Sequence, residues 1–252
     1  MIEYYAQSHV GLVRKGNEDS YYAPAQSRPK DPQFFLCVAD GLGGHNAGEI
    51  ASQLAVRTLV TSMQTMEGKN QMLDHPFETM QKLFFEANDK IHMLSAESDK
   101  MYGMGTTLTA AVCKKHTVGI AHVGDSRAYL FNRDGLVQIT TDHTFVQTLI
   151  QSGQLTEEAA LTHPYRHVIT RAVGIEQFLE IDFFEADWTT GDTLLLCSDG
   201  LTNMVIDKEI ENIFKTKGTL QSQGSALLNL ALEHGGKDNI TLCLARREED
   251  SK

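Results

Sequence analysis

Apolar residues along the chain follow two spacings, one typical of buried strands and one typical of helices packed on them. Several short runs are apolar throughout, as expected for strands that are covered on both faces. The predicted strands span residues 4–10, 34–39, 108–112, 118–123, 128–131, 194–197 and 240–245. Most of these runs are bounded by glycine or polar residues, as expected where a strand leaves the core.

Apolar residues at i, i+3, i+4 and i+7 predict amphipathic helices between these strands. The predicted helices span 47–54, 80–94, 207–214 and 222–234. Asn46 and Glu49 have the spacing of a capping box at the start of the first helix. Two successive helices between strands disfavour a simple βαβ alternation, so we expect stacked sheets with helices packed outside them. Short helical pieces at 144–165 predict a small flap on a single domain that spans 1–252.

Composition narrows the class of protein. The chain has 252 residues and a formal net charge of −11, and 41% of its residues are hydrophobic, as in ordinary globular proteins. The acidic balance argues against nucleic-acid binding, which relies on Lys and Arg. The N-terminus lacks the pattern of a signal peptide, and no apolar run is long enough to span a bilayer. Four widely separated cysteines predict buried, reduced thiols in a cytoplasmic protein.

Three aspartates stand at predicted strand ends. The strand at 34–39 runs into Asp40, the strand at 194–197 is soon followed by Asp199, and Asp238 precedes the strand at 240–245. If neighbouring strands are antiparallel, the end of one and the start of the next lie at the same edge. We therefore expect the three carboxylates to converge.

Converging carboxylates repel each other unless a cation lies between them. An oxygen-only ligand set favours Mg²⁺ or Mn²⁺ over Zn²⁺. Glu18 and Asp19 add two acids, Asp125 adds one at a turn between strands, and Arg14 has the chemistry to bind a phosphate held by the metals.

Each of these features has an ordinary alternative. Asp-Gly and Gly-Asp are common turn dipeptides. Arg14 alone is typical of a surface ion pair, His45 of a helix cap or a surface histidine, and Ser126 with Arg127 of the end of a hairpin. Dinucleotide, P-loop, zinc-protease and nucleophilic-serine motifs do not fit the sequence.

Eight motifs nevertheless follow one another from residue 14 to residue 241. They are Arg14…Asn17-Glu18-Asp19, Val38-Ala39-Asp40-Gly41-Leu42-Gly43-Gly44-His45, Gly105-Thr106-Thr107, Gly124-Asp125-Ser126-Arg127, Thr141-Asp142-His143, Arg171-Ala172-Val173-Gly174, Ser198-Asp199-Gly200-Leu201 and Gly236-Lys237-Asp238-Asn239-Ile240-Thr241. In this order they resemble the metal-dependent protein phosphatases of type 2C in their compact bacterial form. The resemblance implies an α+β fold, a four-layer αββα sandwich of two antiparallel sheets flanked by helices, with a two-metal centre at one end.

The resemblance also implies roles for single residues. Asp40 would bridge two metals and Gly41 would offer its backbone carbonyl, while Asp199 and Asp238 would complete one metal site. Glu18 and Asp19 would hold water at the metals or support the ligands. Asp125 would join Asp199 in binding a weaker third metal. Arg14 would bind the phosphate, and the flap at 144–165 would contribute to substrate choice.

One position departs from the eukaryotic pattern of the family. There a histidine stands two residues after the first aspartate and is proposed to protonate the leaving alcohol, whereas this chain has Leu42. Bacterial members usually have Met at that position and a histidine further on, which corresponds to His45. We therefore name His45 as the candidate general acid.

The expected reaction is hydrolysis of phosphoserine and phosphothreonine in proteins by metal-activated water, without a phosphoenzyme. Expected partners are phosphorylated proteins, including a cognate kinase, and the expected state is a cytoplasmic monomer. A catalytically silent phosphoprotein-binding module, a two-metal phosphodiesterase and a purely structural cation site are the alternatives. The first would be expected to lack metal ligands, the second is disfavoured by the acidic charge, and the third would need no Arg14.

Overall fold

The protein contains two antiparallel sheets with helices on both outer faces. The computed structural model describes residues 1–24, 34–43, 47–97 and 99–248. The strands are β1 (Ile2–His9), β2 (Asp19–Tyr22), β3 (Phe35–Leu42), β4 (Gly105–Thr106), β5 (Leu108–Cys113), β6 (Thr117–Val123), β7 (Arg127–Asn132), β8 (Gly135–Gln138), β9 (Asp182–Asp187), β10 (Thr193–Cys197) and β11 (Ile240–Arg247). The helices are α1 (Ala47–Ser62), α2 (Met66–Asp74), α3 (Pro76–Ala96), α4 (Phe145–Gln151), α5 (Glu157–Ala160), α6 (Asp199–Thr202), α7 (Asp207–Lys215) and α8 (Leu220–Glu233).

The strand order places the N-terminal strands of the chain at the edges of both sheets. One sheet has the order β1-β11-β10-β7-β8, and the other has the order β2-β3-β5-β6-β9, with β4 paired to β3. All pairings between these strands are antiparallel. The predicted α+β sandwich is therefore confirmed.

Three apolar layers hold the sandwich together. One lies between the two sheets and includes Leu36, Leu130 and Leu196. A second lies between the β3 sheet and helices α1 to α3, and a third between the β10 sheet and helices α6 to α8. Alternate residues of the central strands thus point into different layers, which explains why those strands are apolar along their whole length.

All seven predicted strands and all four predicted helices are present, and most bounds differ by a few residues. Helix α1 is the exception, because it continues to Ser62, well beyond the predicted end at residue 54. Three helices separate β3 from β4, whereas the sequence predicted two. The additional helix is α2. Two short helices, α4 and α5, lie within the stretch expected to form the flap. The predicted capping residue Asn46 lies outside the described residues.

Asp125 lies in a connection between the two sheets. Strand β6 belongs to one sheet and β7 to the other, so residues 124–126 cross from layer to layer. The ordinary alternative for Ser126 and Arg127, the end of a hairpin, is therefore wrong.

Candidate active site

One cavity at an end of the sandwich collects most of the predicted site residues. It has a volume of about 590 Å³. Its lining includes the predicted residues Arg14, Glu18, Asp40, Gly41, Asp125, Asp199 and Asp238. Asp19 does not line this cavity and borders a neighbouring groove instead. His45 lies outside the described residues, so its role stays a prediction.

Antiparallel pairing explains why Asp199 and Asp238 meet. Strands β10 and β11 are neighbours, with Cys197 opposite Leu242. Asp199 follows the end of β10 and Asp238 precedes the start of β11, so both lie at the same sheet edge. The convergence expected from the sequence is found for this pair. The Asn203 side chain donates a hydrogen bond to the Asp199 carboxylate (2.9 Å).

Asp40 is held from both sides by neighbouring strands. It stands opposite Asp19 in the β2–β3 pairing. Its backbone N–H donates to the Thr107 hydroxyl (2.9 Å), and its carbonyl accepts from Thr107 N–H (2.8 Å) and from the Thr106 hydroxyl (2.9 Å). The Gly105-Thr106-Thr107 motif, to which sequence reasoning assigned no role, therefore fixes the backbone that carries Asp40.

The turn that carries Asp125 is fixed by Thr107 and His143. The Thr107 and Ser126 hydroxyls hydrogen-bond to each other (2.8 Å). Gly124 N–H donates to His143 Nδ1 (3.0 Å), and His143 N–H donates to the Gly124 carbonyl (2.7 Å). Gly124 has a φ of +114°, and a Cβ at this position would lie 2.5 Å from Thr107. Only glycine fits here without strain.

His143 is held as a neutral imidazole. Burial lowers its pKa, and the ring lies between the Gly124 amide and Asp182. Because Nδ1 accepts the amide hydrogen bond, Nε2 carries the proton and donates to Asp182 (3.2 Å). Arg171 donates to the other Asp182 oxygen (2.9 Å). The residues of two further motifs thus support the Asp125 turn.

Asp19 is buried behind the site. Its Oδ2 accepts a hydrogen bond from the Ser198 hydroxyl (2.8 Å), which joins it to the segment that carries Asp199. Its Oδ1 is buried and has no hydrogen-bond partner among the described residues. A buried carboxylate oxygen without a partner is unfavourable, and a cation or its water ligand would satisfy it.

The electrostatics of the site also favour a bound cation. Burial, followed by repulsion from neighbouring aspartates, raises the pKa of Asp40 and of Asp125 well above the ordinary value. Burial and Asp238 raise the pKa of Asp199, and burial raises the pKa of Asp19 to about 7. Carboxylates in this arrangement repel each other unless positive charge compensates them.

The donor set fits Mg²⁺ or Mn²⁺, but the protein side chains alone do not complete a coordination shell. The available donors are carboxylate and carbonyl oxygens, which suit hard divalent cations. No group of three or more His, Cys, Asp or Glu side chains in the described part of the chain is arranged to hold an ion by itself. The side chains therefore form an incomplete shell, in keeping with the preference of Mg²⁺ to retain several water ligands.

Besides Arg14, three basic residues that were not predicted line the cavity. Arg166 and His167 line the cavity just after the predicted flap, and Lys237 lines it beside Asp238. Arg14 Nη2 donates to Asp238 (2.7 Å), and 55% of its side chain is exposed. Lys237 belongs to the motif at residues 236–241, next to the predicted ligand Asp238, so the sequence indicated that it lies near the site. The residues 166–167 had no such signal, because only the folded chain places them at the cavity.

Comparisons with known proteins agree with this geometry. A family model described as protein phosphatase 2C matches residues 14–235. The chain is similar to the serine/threonine phosphatase stp of Listeria monocytogenes, with 42% identity over 243 residues, 96% of this chain and 94% of that protein.

Solved structures show the same similarity. The crystal structure of the Mycobacterium tuberculosis serine/threonine phosphatase PstP/Ppp superposes with a TM-score of 0.87 at 38% identity, over 98% of this chain and 99% of that one. The catalytic domain of PstP in complex with two manganese ions superposes with a TM-score of 0.83 at 36% identity, over 97% of each chain.

Proposed function

The chain belongs to the protein phosphatase 2C family, and we propose that the acidic cavity is its catalytic site. The protein is a metal-dependent serine/threonine phosphatase, a hydrolase of phosphoric monoesters in proteins. The observation that supports the location of the site is the meeting of Asp40, Asp125, Asp199 and Asp238 with Arg14 in one cavity. Such a site combines cation ligands with a phosphate-binding group.

The acidic residues hold the divalent cations in this proposal. Asp40, the Gly41 carbonyl, Asp199 and Asp238 would hold two Mn²⁺ or Mg²⁺ ions. Asp125 and Asp199 would hold a weaker third ion. When bound, such cations supply the positive charge that makes water nucleophilic near neutral pH.

Asp19 supports this shell from behind, and Glu18 supports it from the cavity wall. The unpartnered Oδ1 of Asp19 is suited to accept a hydrogen bond from water, and its Oδ2 is already oriented by Ser198. Burial raises the pKa of Glu18, and Arg14 opposes that rise. Glu18 lines the cavity, which suits it to hold water at the metals.

Arg14 orients the phosphate. Its guanidinium is anchored on one side by Asp238, and its exposed part faces solvent, where phosphate oxygens can be bound. Because water attacks the phosphorus, the chain needs no nucleophilic side chain and forms no phosphoenzyme. His45 stays the candidate that donates a proton to the leaving alcohol.

The proposed partners are phosphoproteins, and the proposed location is the cytoplasm. The substrates are proteins phosphorylated on serine or threonine, and we include a cognate kinase among them. The net charge of −11 disfavours nucleic acid as a partner. The four cysteines are free and buried, which suits the reducing cytoplasm. The monomeric state is proposed from the habit of the family. No helix in the described ranges is long and apolar enough to cross a membrane.

The flap is proposed to contribute to substrate choice within a single domain that spans 1–252. Arg166, His167 and Ile169 line the cavity directly after residues 144–165. A phosphoprotein that enters the cavity would therefore contact the segment that directly follows the flap.

Phosphate release from a phosphothreonine peptide tests the function. The purified protein with Mn²⁺ is expected to release phosphate, to lose this activity in excess EDTA, and to regain it when Mn²⁺ is restored. Activity that survives EDTA would contradict the metal role. Nicking of plasmid DNA would favour the phosphodiesterase alternative, and peptide binding without hydrolysis would favour the silent module.

A further inference from the structure

Asn239 occupies a buried position between the segment that carries Arg14 and the rest of the site. Its side chain is almost fully enclosed, and its Oδ1 accepts a hydrogen bond from the backbone N–H of Glu18 (2.8 Å). Its Nδ2 donates to the carbonyls of Val10 and Gly16 (both 2.9 Å). One carboxamide thus binds three backbone groups of a distant segment.

Two of these backbone groups lie at the ends of a loop, and the third lies within it. Residues 10–18 connect β1 to β2, so Val10 and Glu18 are the ends of this loop and Gly16 follows Arg14 inside it. The exposed tip of the loop, residues 12–16, carries Arg14. Asn239 therefore joins the two ends of the loop and limits how far Arg14 can move.

Asn239 also donates a hydrogen bond to Asp238, the carboxylate that binds Arg14. Its backbone N–H donates to Asp238 Oδ1 (2.8 Å), while Arg14 donates to Asp238 Oδ2 (2.7 Å). The guanidinium is consequently fixed through the loop backbone and through the Asp238 carboxylate.

We propose that Asn239 is a positioning residue that holds Arg14 at the catalytic cavity. This inference rests on the proposed role of Arg14 in binding phosphate. Asparagine meets the requirement because one acceptor and two donors are needed within one short planar group. Aspartate lacks the donors, and glutamine is one methylene longer.

A second buried asparagine provides a matched control. Asn88 Oδ1 accepts from Gly174 N–H (2.7 Å), and its Nδ2 donates to the carbonyls of Glu176 (2.9 Å) and Gln177 (3.3 Å). Asn88 is as buried as Asn239 and makes the same three kinds of bond, but its partners are not residues of the cavity lining.

Hydrogen exchange tests the contact itself. In the Mn²⁺-loaded wild type, the Glu18 amide is expected to be protected. Asn239→Ala is expected to speed exchange in residues 11–18 by about tenfold or more, whereas Asn88→Ala is expected to loosen residues 174–177 instead. A Glu18 amide that exchanges freely in the wild type would overturn the proposal even if no variant folds.

Kinetics test the consequence for Arg14. Asn239→Ala is expected to raise KM for a phosphothreonine peptide about tenfold with a smaller change in kcat, the same pattern that is expected for Arg14→Ala. In the Arg14→Ala background, Asn239→Ala is expected to change KM by less than about twofold. Asn88→Ala is expected to leave KM at the wild-type value.

The outcomes separate this inference from the proposed function. If Arg14→Ala leaves KM unchanged, the role assigned to Arg14 fails. If Arg14→Ala raises KM but Asn239→Ala does not, or if the two effects simply multiply in the double variant, the positioning role of Asn239 fails.

Discussion

Three aspartates at the site are held in position by neighbouring polar groups. Thr107 holds the backbone of Asp40, Ser198 orients Asp19, and Asn203 contacts Asp199. These supports limit rotation of carboxylates that would otherwise turn away from each other. The single residues that matter for activity are therefore the ligands together with the side chains that orient them.

Asp199→Asn is expected to lower kcat by about 100-fold or more, because it removes one negative charge from the cation site while preserving side-chain shape. Phosphate release from a phosphothreonine peptide at saturating Mn²⁺ measures the loss. Asp134→Asn removes the same charge from a side chain that is 77% exposed beside Arg133 and is expected to keep wild-type turnover. Near wild-type turnover in Asp199→Asn would mean that the site is misplaced.

At the scale of elements, close approach of backbones brings the ligands together. Helix α6 begins with Asp199 and packs against the start of β11 and the residues just before it, Asp238 and Asn239. A Cβ on Gly200 would lie 1.9 Å from the Asn239 carbonyl oxygen. Gly200 therefore permits a distance between α6 and β11 that no other residue allows.

Gly200→Ala is expected to force α6 away from β11 and to lower the free energy of unfolding by about 1–3 kcal/mol. The displacement would also separate Asp199 from Asp238, so activity should fall together with stability. Thermal denaturation and the peptide assay measure the two effects. Gly16→Ala is the control, because a Cβ at Gly16 meets nothing within 4 Å; an equal loss of stability in both variants would contradict the packing argument.

At the scale of the whole molecule, the sandwich stabilises a site that is itself unfavourable. Three apolar layers enclose the sheets, and the edge of the sheets holds buried carboxylates. A native state with raised carboxyl pKa values binds protons that the unfolded chain releases. The metal-free protein should therefore lose stability as the pH rises through this range.

Asp19 gives this prediction its pH window. Its pKa is raised from 3.8 to about 7, so its contribution favours folding at acidic pH and is lost as the pH rises through 7. The Tm of metal-free protein is expected to fall between pH 5.5 and pH 8 by more than that of Asp19→Asn. Added Mn²⁺ is expected to raise the wild-type Tm most at pH 8. Identical pH profiles for wild type and Asp19→Asn would contradict the prediction.

The elements that sequence patterns predicted are those with a strong local signal. Fully apolar strands such as β5 and β10, and the long apolar stripe of α3, are recognisable from their own residues. Helices α2 and α6 and the short strands β2, β4, β8 and β9 were not predicted. These elements are short or largely polar, and the strands among them are stabilised by pairing, which for β9 involves the distant strand β6.

The sequence by itself identified the family through its motifs, and with the family the sandwich fold, and it named the acidic candidates for the site, because motifs and strand-end aspartates can be recognised from neighbouring residues. Only the tertiary structure showed that Arg166 and His167 line the cavity and that Asp19 does not. It also linked Asn239 to the Arg14 loop, since hydrogen bonds between residues more than 200 positions apart leave no local pattern. The chemistry was encoded in residue types, whereas the positions of the supporting groups depended on how the two sheets pack.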